Sequence, residues 1–284
     1  MNILDDLKLQ YKTGGMVQKL IFWNIGCFLL SLVFFYSFSV GSFQIPTRIA
    51  LSSDFGTFIR TPWTLITFNF FHAGFLHLIF NLMVLHFSGR LFSTYFTDKQ
   101  LLGVYVLGGI FSGLTFVLSY IVIGKSGLLV GASGAIMAIL IATATYAPFM
   151  LLRIPLIGIV KLWHVAFVIL LVDLIQMPLD NTGGHLAHLG GALFGFIYIK
   201  LLQSGKDITK PFLALLDTFA NLFKPKKKTP FKKVHRNTTK KVVNSFTEKD
   251  ITQKQIDDIL DKISKSGYDS LTKEEKEFLF KAGK

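Results

Sequence analysis

The chain has 284 residues, 51% hydrophobic and only 17% charged, with a mean hydropathy of +0.50 and a formal net charge of +13. Soluble globular domains carry roughly a quarter charged residues, so this balance excludes an ordinary cytosolic enzyme. A single cysteine, Cys27, excludes a disulfide scaffold.

A helix needs about 20 apolar residues to cross the roughly 30 Å hydrocarbon core. Leu20–Val40 is the first such stretch and carries no charge. It begins too far from the N-terminus, and lacks the small-residue cleavage site, to be a removed signal. Gly41–Phe71 follows, a long connection containing Pro62, Trp63 and many Phe and Ile. It is too apolar for a solvated linker and is expected to pack on the outer face as an interfacial element. Further spans are expected at Phe75–Thr94, Leu101–Ile123, Leu128–Leu152, Leu162–Gln176 and Leu186–Leu202, which makes six.

Lys and Arg in short loops orient such a bundle. With the N-terminus inside, Lys8, Lys12, Lys19, Arg90, Lys99, Arg153 and Lys161 fall on the inner side and only Arg48, Arg60 and Lys125 on the outer. Both ends are then cytosolic. The composition changes near Ser204, so the predicted organisation is a membrane bundle over 1–203, a basic cytosolic linker over 204–250 and a short helical hairpin over 251–284.

Polar groups inside a bilayer are costly and mark functional sites. Three clusters occur: His72, His77 and Asn81 opening the second span; Gly131, Ser133 and Gly134 opening the fourth; and His185, His188, Gly191 and Gly195 opening the sixth. Even-numbered spans run outside to inside, so all three clusters share one depth near the outer face. Gly191 and Gly195 form a G-x-x-x-G face that lets helices approach closely. His188, one turn before Gly191, points along that seam towards Ser133, as a serine nucleophile and its imidazole base require. His185, one turn earlier, could compete for the base role, but His188 is the one in register with the two glycines. Asp173 is read as reaching for the interface or a neighbouring polar group, and His86 as a packing residue.

Taken together, H-x-x-x-x-H-x-x-x-N, G-x-S-G and A-H-x-x-G-x-x-x-G at the ends of alternate spans resemble the rhomboid intramembrane serine proteases over roughly residues 15–203. The resemblance implies an all-α, six-helix membrane bundle in a bacterial cytoplasmic membrane, hydrolysing transmembrane proteins near the outer face. It implies Ser133 as nucleophile and His188 as base, with no acidic third member. His77, Asn81 and the Ser133 amide would hold the oxyanion, with His72, Gly131 and Gly134 in support. The chain departs from the family pattern at Thr64 after Trp63, at Met137 and at Ser93. The alternative is an inactive relative that binds membrane-protein clients.

No cofactor is implied. A metal site from His72, His77, His185 and His188 is disfavoured, because no H-E-x-x-H occurs and no acid stands at ligand spacing. Lys224–Lys241, with nine Lys/Arg and no acid, reads as attraction to anionic headgroups. Nucleic acid is a poor fit, since no aromatics interleave with the charges. Beyond it, Ile256, Ile259, Leu260 and Ile263 recur at helical spacing, Gly267 stops the helix, and Thr272-x-x-Glu275 forms a capping box before Phe278 and Phe280.

Overall fold

The computed structural model describes residues 2–155, 157–179, 181–222 and 248–282. The chain opens with α1 (Ile3–Thr13), an exposed helix with Asp5 and Asp6 in its first turn. Gly14 and Gly15 break it before α2 (Met16–Phe34). The first apolar helix therefore ends at Phe34, short of Val40, because Tyr36–Ser37 (β1) turns back on Ser42–Phe43 (β2). The rest of the long connection folds as β3 (Leu51–Ser52), α3 (Phe55–Arg60), α4 (Thr64–Thr67) and a 3-10 turn over Phe68–Phe70. Phe55, Ile59 and Trp63 are exposed on it, an apolar surface of the kind that burial at headgroup level accommodates.

Next come α5 (Phe75–Phe92) and α6 (Asp98–Ile123). Thr97 and Gln100 form a reciprocal capping box at the start of α6, and Gly124 ends it in the left-handed region. After β4 (Leu128–Leu129) follow α7 (Ser133–Tyr146), β5 (Leu151–Ile154), β6 (Gly158–Lys161), α8 (Leu162–Gln176), α9 (Thr182–Gln203) and α10 (Thr209–Leu222).

Among the described residues four helices, α2, α5, α6 and α9, are long and apolar enough to cross a membrane. The expected six full spans are thus four long helices and two shorter ones. With 14 and 15 residues, α7 and α8 reach only about 21–23 Å. Expected span Leu128–Leu152 shortens from both ends. Leu128 and Leu129 pair with β3, and Pro148, which has no N–H, follows the last helical turn. Leu151 and Leu152 then enter an antiparallel hairpin with β6.

Position compensates for length in α7. Every residue from Gly134 to Ala144 is buried, because α5, α6 and α9 surround the helix. The tightest seam is with α9, where Gly191 faces the Gly134 carbonyl and Gly195 the Ala138 carbonyl. A Cβ at either glycine would overlap backbone. Peripheral α8 behaves oppositely: only Leu162, Ala166 and Asp173 are buried, and Phe167, Val168, Leu171, Val172, Leu174 and Ile175 are exposed, as lipid contact demands. On the other flank, the fully buried Tyr105 hydroxyl accepts from Asn24 Nδ2 (3.1 Å) and donates to the Asn69 carbonyl (3.0 Å), tying α2, α6 and the long connection together.

The compact membrane unit runs Met1–Lys224 and so extends past the compositional boundary at 203. Asp207 accepts from the Thr209 amide and hydroxyl at the start of α10 and from Gln100 Nε2 of α6 (3.1 Å), while buried Thr209 fills the space beside Gly103. Lys210 and Asp217 dilute the hydropathy of α10, which is why composition reads the segment as linker. Lys224–Lys241 lies outside the described residues.

A second unit holds α11 (Glu248–Ser266), a 3-10 turn over Tyr268–Ser270 and α12 (Lys273–Ala282). The Thr272–Glu275 capping box is made in both directions, and Lys262 reaches Glu275 at 2.8 Å across the two helices. The Lys262 ammonium, then the Thr272 amide, hold the Glu275 carboxyl below its ordinary value. A depressed carboxyl stabilises the hairpin above the unfolded pKa and loses that contribution as pH falls through the folded value. Side-chain NMR titration of Glu275 should accordingly give a pKa below 4.5 that returns towards it in Lys262→Ala. In the membrane unit, Gly191→Leu should force α7 and α9 apart and cost at least about 2 kcal/mol, read as a lower unfolding midpoint in detergent.

Candidate functional site

The starts of α5, α7 and α9 and the end of α8 gather at one end of the bundle, so their terminal turns define a single layer. The segment entering α7 is held by the long connection. Leu51 pairs with Leu129 and Ser52 with Leu128; the Gly127 amide donates to Ser53 Oγ (2.9 Å), and the Gly131 amide donates to the Phe68 carbonyl (2.9 Å). Gly131 has φ +130°, a region that side chains rarely enter, and the His77 ring lies where its Cβ would be, 2.8 Å from Cε1. The turn therefore needs glycine twice, for its backbone and for the imidazole resting on it.

Ser133 is the first residue of α7, so the opening amides of that helix lack intrahelical acceptors and carry the positive end of its dipole. A cavity of about 340 Å³ opens beside it. Its polar lining is Asn81 from α5, Ser133 from α7, Asp173 from α8 and His188 from α9; Phe80, Ile136, Met137 and Val172 contribute to an apolar wall. Ser133 and His188 thus line one chamber, although no hydrogen bond joins them among the described residues.

The dominant polar contact is one that the spacing does not reveal. Asp173 is 6% exposed, and its Oδ1 lies 2.7 Å from His185 Nδ1 and 2.8 Å from His188 Nδ1. An ionised carboxylate only accepts, so each imidazole offers Nδ1–H to that one oxygen, and a neutral ring then keeps Nε2 as an acceptor. The carboxylate holds the His188 ring by one nitrogen and presents the other, which is the geometry a base needs. Asp173 Oδ2 is buried without a partner. The family resemblance implies an imidazole with no acidic third member; in the structure the His188 ring carries an acidic partner, although no acid stands at ligand spacing along the chain. Asp173 precedes His185 by 12 residues and lies on another helix, so only helix packing brings them together. The single sequence signal was a carboxylate in an apolar segment, which must find a partner.

The other predicted site residues divide. Asn81 reaches the cavity and donates one amide hydrogen to the His77 carbonyl (2.8 Å), leaving a second for a ligand. His77 packs on Gly131 without lining the chamber. His72 is fully buried behind it, ring centroids 5.1 Å apart and edge to face, with neither nitrogen hydrogen-bonded. Gly134 packs against Ser112 and the Ala187 carbonyl, which sets the α6–α7–α9 contact. Where the chain departs from the family pattern, Met137 adds apolar wall, and Trp63 and Thr64 brace the connection through Arg48 (2.9 Å) and Thr61 (2.6 Å) carbonyls.

A short central helix opening on a serine, packed through glycines on a helix that carries a histidine inside a bundle of lipid-length helices, defines a rhomboid-type membrane protein. The Rhomboid domain model matches residues 60–204, just over half of the sequence, and the chain belongs to the rhomboid family. Residues 243–281 match a family of unknown function, DUF6576. Among curated relatives, "Presenilin-associated rhomboid-like protein A, mitochondrial" of Danio rerio is 34% identical over 137 residues, 46% of this chain and 35% of that protein. The Rattus norvegicus "Presenilin-associated rhomboid-like protein, mitochondrial" is 32% identical over 155 residues (54% and 41%), and the Homo sapiens one 29% over 156 (54% and 40%). The chain thus spans about two fifths of the length of these relatives.

Gly131→Ala tests the turn beneath His77. Strain from φ alone should cost about 1–3 kcal/mol of stability, and the His77 ring signals should shift in NMR spectra.

Proposed function

We propose that the chain is an intramembrane serine endopeptidase using Ser133 and His188, with Asp173 positioning the imidazole. The observation that carries this reading is the shared chamber: a hydroxyl at a helix start and an imidazole whose far nitrogen is held by a buried carboxylate. His188 Nε2 takes the Ser133 proton as Oγ attacks a peptide carbonyl, and the same imidazole returns that proton to the leaving amine. Negative charge developing on the carbonyl oxygen is met by the first amides of α7, including that of Ser133, and by the free Asn81 amide hydrogen, with His77 behind. Water then cleaves the acyl-enzyme by the reverse proton path. The chamber lies between α5 and α8 with α7 as its floor, so a transmembrane substrate entering there must unwind locally to expose a carbonyl. Substrates carrying Gly or Pro at that depth suit it best.

Both termini are placed at the cytosolic face by the Lys/Arg distribution. The family resemblance points to a bacterial cytoplasmic membrane, whereas the curated relatives are named mitochondrial. Anionic headgroups are the expected partner of Lys224–Lys241.

A second reading is an inactive client-binding protein. It draws on the missing Ser133–His188 hydrogen bond and on the relatives' printed description, "rhomboid-like". Reconstituted protein and a single-span substrate separate the two. On the protease reading, Ser133→Ala and His188→Ala each lower cleavage at least about 10³-fold, and Asn81→Ala about 10²–10³-fold. Asp173→Asn lowers kcat by up to about 10⁴-fold with a smaller change in KM. Wild type that captures the substrate yet leaves it intact would establish the second reading.

A further inference from the structure

The hydrolytic scheme leaves two groups at the site unused: His185, and the unpartnered Oδ2 of Asp173. Donor atoms of Asp173, His185 and His188, one from each, all lie within 4.8 Å of one another. His185 and His188 stand at i and i+3 on α9, their rings edge to face with centroids 5.9 Å apart, so both turn one nitrogen to the same carboxylate oxygen. Two imidazoles and one carboxylate, with a fourth position open, make a zinc ligand set. At metal–ligand lengths of about 2.0–2.1 Å and tetrahedral angles, donors stand about 3.3 Å apart. Each nitrogen therefore needs to retreat from Oδ1 by about half an ångström, within reach of small rotations of the side chains. A buried carboxylate oxygen with no hydrogen bond is the group that gains most from a cation there.

We propose that Asp173, His185 and His188 bind a divalent cation of the Zn²⁺ class, and that occupancy switches off the peptidase. A coordinating imidazole has no proton on the nitrogen it uses. In the metal-free site Nδ1 of His188 carries the proton and Nε2 is free; on coordination through Nδ1 that proton resides on Nε2. No proton is lost, but Nε2 is the atom that must accept the Ser133 proton. Metal occupancy and base competence therefore exclude each other. The binding half stands independently; the inhibitory half rests on the serine-protease reading.

The test uses the full chain in detergent, stripped with chelator and titrated with Co²⁺, whose visible absorption reports tetrahedral coordination. One equivalent should bind, and Zn²⁺ should displace it. Ser133→Ala should bind like wild type, while His185→Gln and Asp173→Asn should bind about 100-fold more weakly and still elute as the wild type does. In the cleavage assay, Zn²⁺ should inhibit wild type, and His185→Gln should need at least tenfold more Zn²⁺ for half inhibition. Absence of a saturable Co²⁺ signal, or wild-type affinity in both ligand variants, overturns the site. Binding by the trio with undiminished cleavage overturns the switch alone. Saturable binding in a protein that never cleaves refutes both the switch and the protease reading, and leaves the metal site standing.

Discussion

The contact between α7 and α9 governs this molecule. Lipid supplies no hydrophobic drive between helices, so association depends on close packing, and close packing depends on the absence of side chains where backbones meet. Gly191 against the Gly134 carbonyl and Gly195 against the Ala138 carbonyl remove them. The resulting seam buries α7 from Gly134 to Ala144 and sets its first residue, Ser133, on the same chamber as His188 of α9. A helix too short to cross on its own is thereby kept inside the bundle, and its amide-rich end opens into a chamber within protein. Non-helical backbone at such depth is tolerated only where protein or water covers it. The β3–β4 pairing and the Gly131–Phe68 bond provide that cover.

Asp173 imposes the second constraint. An ionised carboxylate in a low-dielectric interior costs several kcal/mol unless hydrogen bonds compensate, and charge-assisted bonds are the ones strong enough to do so. Two imidazole N–H groups on one oxygen provide them. Because α8 is otherwise exposed apolar surface, this fork is also its principal polar attachment to α9. Structure and chemistry are coupled here: the group that anchors a peripheral helix also holds Nδ1 of the histidine that shares its chamber with Ser133. His185 shares that anchor, which accounts for a second histidine one turn from the first.

The sequence alone determined the membrane character, the positions of the apolar segments and the three polar clusters, because composition and helical period are local quantities. The limits of α8 were legible to the residue, and α6 to within three at its start, because its first turn, Asp98 to Gln100, is polar and lies outside the apolar run. The Thr272–Glu275 box was legible because its spacing is a local pattern. Segment lengths were less so: the apolar run Leu128–Leu152 contains a strand, a short helix and a hairpin arm with no change in hydropathy, because strand pairing to residues far along the chain is invisible to a local window. The amphipathic α10 was hidden by averaging.

What only the tertiary structure decided is the environment of each polar group. The glycines announced that two helices approach, but the rotation and depth at which they meet follow from packing against α5, α6 and the long connection together. Those angles brought Asp173 under both histidines, drew His77 back onto Gly131 and buried His72 behind it. A hydrogen bond between helices is a property of relative placement, and no spacing within one helix contains it.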